Sequence, residues 1–302
     1  MIFRKFLMFA SRGTTPKFTL EVKSDNAGTS GANQFTIPTF GSATYLYDYY
    51  TSDGQSGTGI TGDETITFAS GAGTYEIYIT GTFPRTFFGG TGDSLKLLRV
   101  LEWGDYGAGE TDQGGAFQGC DNLTSIADDV GNINLITLGV NMFVDCGFAS
   151  LPSGLTFPNL TNGLSLLQGC GNLLSLPSGM AFASLTNGND TLRNTGITAL
   201  PNVMVLDNLE IATNFTLGTA LTDLPSGMTL PSLTTASNIF QSSNINVVRY
   251  SQLLVDMESG NPNNNVSFGA GVSKYNATGK VARDILTGGV RLWTITDGGL
   301  EP

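Results

Sequence analysis

Three cysteines, Cys120, Cys146 and Cys170, are the only thiols in a chain of 302 residues that contains no histidine. Without imidazole, Ser-His-Asp and Cys-His catalysis and the commonest metal ligand are all excluded. Metal sites favour close pairs such as Cys-x-x-Cys, usually with four ligands. Here the cysteines lie 26 and then 24 residues apart. That spacing fits free buried thiols acting as small hydrophobes. The residues therefore call for no catalytic group, no metal and no cofactor.

Carboxylates are the other reactive groups. Glu102, Asp105, Glu110 and Asp112 cluster in sequence. Glycoside hydrolysis needs two carboxyls ~5–9.5 Å apart, so a glycan-active enzyme built on Glu102 and Asp105 is a minor alternative. A solvated, Gly-rich loop is the plainer expectation. Asp48, Asp53 and Asp63 carry oxygen ligands of the kind Ca²⁺ takes, but Asp is also a turn former.

The elements that must position these groups come from internal repetition. Phe117, Phe143, Leu167, Leu192, Phe215 and Phe240 recur at steps of 26, 24, 25, 23 and 25 residues. Three residues after each anchor stands a small residue: Cys120, Cys146, Cys170, Thr195, Gly218 and Ser243. Apolar residues follow at Leu123, Phe148, Leu173, Ile197, Leu221 and Ile245, then at Ile126, Leu151, Leu176, Leu200, Leu224 and Val248. Pro152, Pro177, Pro201 and Pro225 come next, and a later leucine recurs at Leu135, Leu160, Leu185, Leu209 and Leu233. Periods of 20–29 residues are those of leucine-rich repeats. Stacked coils then share a core that no single coil can bury. The expected strand runs through Asn-Leu-x-x-Leu and ends at the proline corner. The cysteines become one inward column. Ser125, Ser150, Ser175 and Asp223 face outward as a polar row, either a partner-binding surface or ordinary solvated surface.

Phe117-Gln-Gly-Cys-Asp-Asn-Leu-Thr-Ser-Ile126 and Leu167-Gln-Gly-Cys-Gly-Asn-Leu-Leu-Ser-Leu176 resemble the BspA-type leucine-rich repeats of bacterial and phage surface proteins. The likeness covers about 117–250 and implies an adhesin or a virion surface protein. Trp293-Thr-Ile-Thr-Asp-Gly-Gly299 resembles the closing strand after such repeats in phage and marine bacterial proteins.

Alternating runs at Phe18–Val22, Thr65–Phe68 and Tyr75–Ile79 point to strands. Gly71-Ala-Gly-Thr-Tyr-Glu-Ile-Tyr-Ile79 and the aromatic-rich Tyr47–Gly54 resemble a PKD-like sandwich, although the usual Trp is missing. Leu95–Gly104 reads as an N-terminal cap on the repeats. Tyr250–Ser259 and Lys280–Thr287 read as short helices, and Val266–Phe268 and Val290–Thr296 as strands. At the start, Arg4 and Lys5 precede an apolar run shorter than the ~7–15 residues of an export signal core. Phe3, Phe6, Leu7 and Phe9 are expected to form a docking arm, with an atypical export signal left open.

The expected class is mainly β: an N-terminal β-sandwich (PKD/Ig-like), a leucine-rich-repeat solenoid and a small α/β C-terminal cap. The expected divisions are 1–17 docking arm, 18–94 sandwich, 95–249 solenoid with about six repeats from 117, and 250–302 cap. Charged residues are 13% and the net charge is −11. Such acidity disfavours nucleic acid and anionic lipid. Between Phe117 and Val248 the only basic residue is Arg193, against eight acids. The expected role is non-enzymatic: a virion surface or tail-associated protein recognising a host. The arm would bind other virion subunits and the repeats a host surface protein or glycan, with no membrane span and homo-oligomerisation left open. The alternative is an exported bacterial adhesin, at the cell surface or secreted.

Overall fold

The structure is a computed structural model and describes residues 16–302. The arm residues Phe3, Phe6, Leu7 and Phe9 lie outside the described residues. Among those described, eleven strands and two α-helices form, and β structure dominates.

The N-terminal region is built on the alternation of its strands. β1 (Phe18–Lys23) pairs antiparallel with β6 (Thr74–Thr82), Leu20 opposite Ile77 and Val22 opposite Tyr75. On its other side β1 pairs antiparallel with β7 (Leu97–Glu102). β3 (Leu46–Thr51) flanks β6, and β4 (Ser56–Ile60) flanks β3. β8 (Ser125–Ile126) runs parallel to β7, giving the order β4-β3-β6-β1-β7-β8. A second sheet pairs β2 (Gln34–Ile37) with β5 (Glu64–Thr67). Leu20, Val22, Phe35, Ile37, Ile66, Ile77 and Ile79 are buried. Tyr47 on β3 donates to the Gly62 carbonyl at 2.9 Å, tying the large sheet to the approach to β5. The boundary expected at 94/95 coincides with no break. β7 is a full member of the N-terminal sheet, and Lys96, just before it, is fully buried. Its ammonium donates to the carbonyls of Ser30, Gly31 and Gln34 and lies 3.8 Å from Asp93.

The leucine-rich-repeat solenoid expected for 95–249 is corrected. That reading requires a strand in each Asn-Leu-x-x-Leu stretch. Only β8 forms there, with one further bridge between Ala199 and Asp223. The prolines that follow at once lack the N–H that a ladder needs. The regular strands lie almost entirely in the N-terminal sheets and the C-terminal module.

From about 111 to 246 the chain instead runs as irregular turns, joined through a different stretch. Isolated parallel bridges link Asp112 to Leu138, Leu138 to Asn162, Asn162 to Asn187, Asn187 to Ile211, and Ile211 to Thr235. Beyond each bridge, alternate amides donate to the next turn. Phe117 N–H reaches the Met142 carbonyl, Phe143 reaches Leu166, Leu167 reaches Thr191, and Leu192 reaches Phe215, each at 2.9 Å. The stretch is a chain of tight turns, not a strand, because two residues four apart take left-handed φ. They are Gly115/Gly119, Asn141/Asp145, Ser165/Gly169, Asp190/Asn194 and Asn214/Gly218. Gly has no Cβ penalty there, and Asn and Asp bear it best among the others.

The inward pattern holds in most columns. All six anchors are buried, and the rings of Phe117 and Phe143 stack 5.5 Å apart. Four assignments change. The fifth structural anchor is Thr216, not Phe215, because Thr216 N–H bonds to Ile239 as Leu192 does to Phe215. The small-residue column therefore passes through buried Thr219, not exposed Gly218. Leu135 is 54% exposed, and Val248, 63% exposed, lies in a helix.

The last turn feeds a three-stranded parallel sheet of β9 (Thr235–Ala236), β10 (Ser267–Gly269) and β11 (Thr294–Thr296). Helices α1 (Val247–Gly260) and α2 (Ala277–Thr287) accompany it. Each is capped by an Asn, Asn246 or Asn276, whose side chain accepts from two first-turn amides. Gly279 lets α2 approach α1, since a Cβ there would lie 2.9 Å from Ser251 Cα.

Candidate functional site

The thiols come first. Cys120, Cys146 and Cys170 are buried, unpaired with one another and aligned from turn to turn. Cys146 Sγ contacts the Phe117 carbonyl at 3.2 Å, and Cys170 Sγ the Phe143 carbonyl at 3.1 Å. Burial pushes all three thiols up, Cys170 to about 12. A protonated, enclosed thiol is a poor nucleophile and a poor ligand.

The acids are mostly spent on the backbone. Asp53 accepts from Thr51 Oγ1 at 2.6 Å and from Ala69 N–H at 2.8 Å. Burial opposes its ionisation, but these donors outweigh it and hold the carboxyl below its ordinary value. Asp63 takes the amide and hydroxyl of Thr39, each at 2.7 Å, and Asp48 takes Gly59 N–H at 2.8 Å. These bonds make the three aspartates turn-forming residues. Glu110 accepts from Asp112 N–H at 2.9 Å, and Glu102 from Thr19 Oγ1 at 3.4 Å. Asp105 is exposed. Among the described residues no group of three or more Cys, Asp or Glu is placed to hold a metal ion.

Ser125, Ser150, Ser175 and Asp223 are all exposed. Two of the four are otherwise engaged through their strands or charges. Ser125 is in β8, and Asp223 lies 3.6 Å from Arg249 Nε. Ala199 occupies the fourth place of the row, between Ser175 and Asp223. The row offers small hydroxyls without an aromatic anchor, a weak basis for tight binding.

A second polar file follows the left-handed positions. Asn214 Nδ2 donates to Asp190 Oδ1 at 3.2 Å, and Asn238 Nδ2 to Asn214 Oδ1 at 3.1 Å. Arg193 pairs with the same Asp190 oxygen at 3.2 Å. Next to the thiol column is a notch of about 430 Å³ bordered by Asp121, Asp145, Gly147, Gly171 and Asn172. Burial and the neighbouring Asp121 carboxylate raise Asp145 above its ordinary value.

The hollow beside Arg85 escapes the sequence reading altogether. It lies where the loop after β6 meets the first two turns, and is lined by Phe40, Arg85, Phe87, Asp112, Gln118 and Asn141 among others. The available signal is Pro84-Arg-Thr-Phe-Phe-Gly-Gly90, a cation between aromatics in a Gly-ended loop.

Among the described residues no helix is long and apolar enough to cross a membrane. No protein-family model, curated protein or solved structure matches the chain.

Proposed function

We propose that the chain is a non-enzymatic recognition or structural protein of a virion surface or tail. In this reading the irregular turns are a rigid display surface, and the N-terminal β-region is its mount. The supporting observation is the turn-to-turn backbone bonding of 111–246, which fixes outward rows of small polar side chains while the thiols stay inside. The acidic repeat segment favours a partner with a neutral or cationic surface. The arm Phe3, Phe6, Leu7 and Phe9 would engage neighbouring virion subunits.

Peptide mass spectrometry of purified particles tests the proposal. The chain should be present at fixed stoichiometry, and its absence would end the reading. If it is instead an exported bacterial adhesin, N-terminal sequencing of secreted material should find a processed start near Ser11.

A further inference from the structure

Arg85 is 2% exposed, yet its surroundings leave part of it unsatisfied. Its guanidinium carbon sits 4.0 Å from the Phe40 ring centroid and 5.9 Å from that of Phe87. One terminal nitrogen donates to the Gly114 carbonyl, and the other is 3.5 Å from Asp112 Oδ1. Nε is buried with no hydrogen-bond partner. An unpaired buried donor is destabilising, so a native one calls for an explanation.

The cavity that Arg85 lines has a volume of about 290 Å³. That is close to the lower end of small-molecule sites, ~300–1,000 Å³. Its floor is aromatic: Phe40 and Phe87 lie 5.0 Å apart at 53°, and Phe87 remains 38% exposed. Its rim is polar: Asp112, Gln118 and Asn141 border it, and no protein hydrogen bond occupies the Gln118 or Asn141 carboxamide among the described residues. The floor holds its shape because Gly115 admits the Phe87 ring. A Cβ there would lie 2.8 Å from that ring, and φ is +69°.

We propose that this hollow binds one neutral pyranose ring of a glycan, a ligand class that rests on the recognition role proposed above. A pyranose has an apolar C–H face for the Phe87 and Phe40 rings and hydroxyls around its edge for the carboxamides, Asp112 and Arg85 Nε. A purely apolar ligand would strip water from those rim groups without replacing their hydrogen bonds. An anion gains little, because Asp112 already balances Arg85 and the chain carries a net charge of −11.

The test uses the full chain, saturation-transfer NMR and calorimetry. The probes are methyl α-glucopyranoside, methyl β-galactopyranoside, methyl α-mannopyranoside and N-acetylglucosamine, with sodium glucuronate as the anionic comparison. At least one neutral sugar should bind with Kd on the order of 1 mM, with saturation strongest on the C–H protons of one face. Phe87→Ala and Gln118→Ala should each weaken binding by roughly tenfold, while Thr58→Ala, exposed in β4, leaves it unchanged. Gln118 lies outside the core, so its variant stays informative if Phe87→Ala fails to fold. The proposal is overturned if no neutral pyranoside binds at tens of millimolar, if binding survives Gln118→Ala, or if glucuronate binds best. The particle measurement is separate. Sugar binding by a chain missing from particles removes the virion role and leaves the site; a particle-borne chain that ignores every probe removes the site alone.

Discussion

The N-terminal sheets and the repeated turns solve the same backbone problem by opposite means. In the first, amides pair along ladders of up to six residues, as between β1 and β6, and side chains alternate inward and outward. In the second, bridges one residue long recur every 24 to 26 residues, and the bonding depends on left-handed residues at fixed places. A ladder accepts almost any residue whose side chain suits its face. A left-handed turn restricts the backbone, and therefore the residue type. Sequence constraint in the sheets is thus a matter of side-chain packing, and in the turns it is also a matter of φ.

Five substitutions would break or sharpen that contrast. Phe143→Ala should cost the most, about 3–5 kcal/mol, because the ring stacks on Phe117 and packs against Phe148. Chemical denaturation should record it as a lower midpoint. A loss under ~1 kcal/mol would mean that adjacent turns do not share a core.

In the N-terminal region Asp93→Asn should cost a comparable ~3–5 kcal/mol. It leaves the fully buried Lys96 ammonium without its carboxylate. Burial disfavours the Asp93 charge, but donors from Ser30 and Thr36 and the Lys96 charge prevail, so its folded value is depressed. Its stabilisation is therefore complete above the unfolded value near ~3.9 and is lost as pH falls through the folded value. Acid titration of the wild type should show this loss, and the variant should show a flatter profile across the same window.

Gly147→Ala should cost about 1–3 kcal/mol. The new Cβ would stand 2.2 Å from the Asp121 backbone carbonyl, which cannot swing aside. Gly57→Ala in β4 meets the Tyr49 side chain rather than backbone and should cost less. Equal losses for the two would mean that a close backbone approach between turns is no more restrictive than a side-chain contact in the sheet. Ser150→Ala, on the exposed row, should fall within about 0.5 kcal/mol of wild type in thermal melts.

Much of this was legible in the chain. The period, the buried anchors and the queue of thiols follow from apolar residues at fixed offsets. β1, β5 and β6 follow from strict alternation, and both helices from their apolar spacing. What stayed hidden has identifiable causes. The strand expected in each repeat rests on its leucines with the proline as its end, but the turn-to-turn backbone bonds form in the stretch that carries the anchors. Phe215 took the anchor role from Thr216 because apolar character was used as the guide. In the structure the bulky residue changes places with its neighbour: Thr191-Leu192 in one turn is answered by Phe215-Thr216 in the next, all four buried. The left-handed pairs were visible as Gly, Asn, Asp and Ser four apart, but no hydrophobic template looks for them. The Arg85 hollow joins residues from four separate stretches, and spacing in one dimension cannot bring them together.

The corner after the thiol column also tells how such a chain can change length. Two residues separate Cys120 from Leu123 and Cys170 from Leu173, whereas Gly147 alone separates Cys146 from Phe148 and Gly196 alone separates Thr195 from Ile197. The bridges at Leu138, Asn162 and Asn187 still form. A single codon gained or lost at that corner is thus absorbed locally, with Gly147 and Gly196 filling two of the shorter versions and Ala220 and Asn244 the other two, and neighbouring turns of unequal length leave a dent between them. Variation by insertion and deletion has a built-in outlet there, facing solvent, while the residues that hold one turn to the next keep their count.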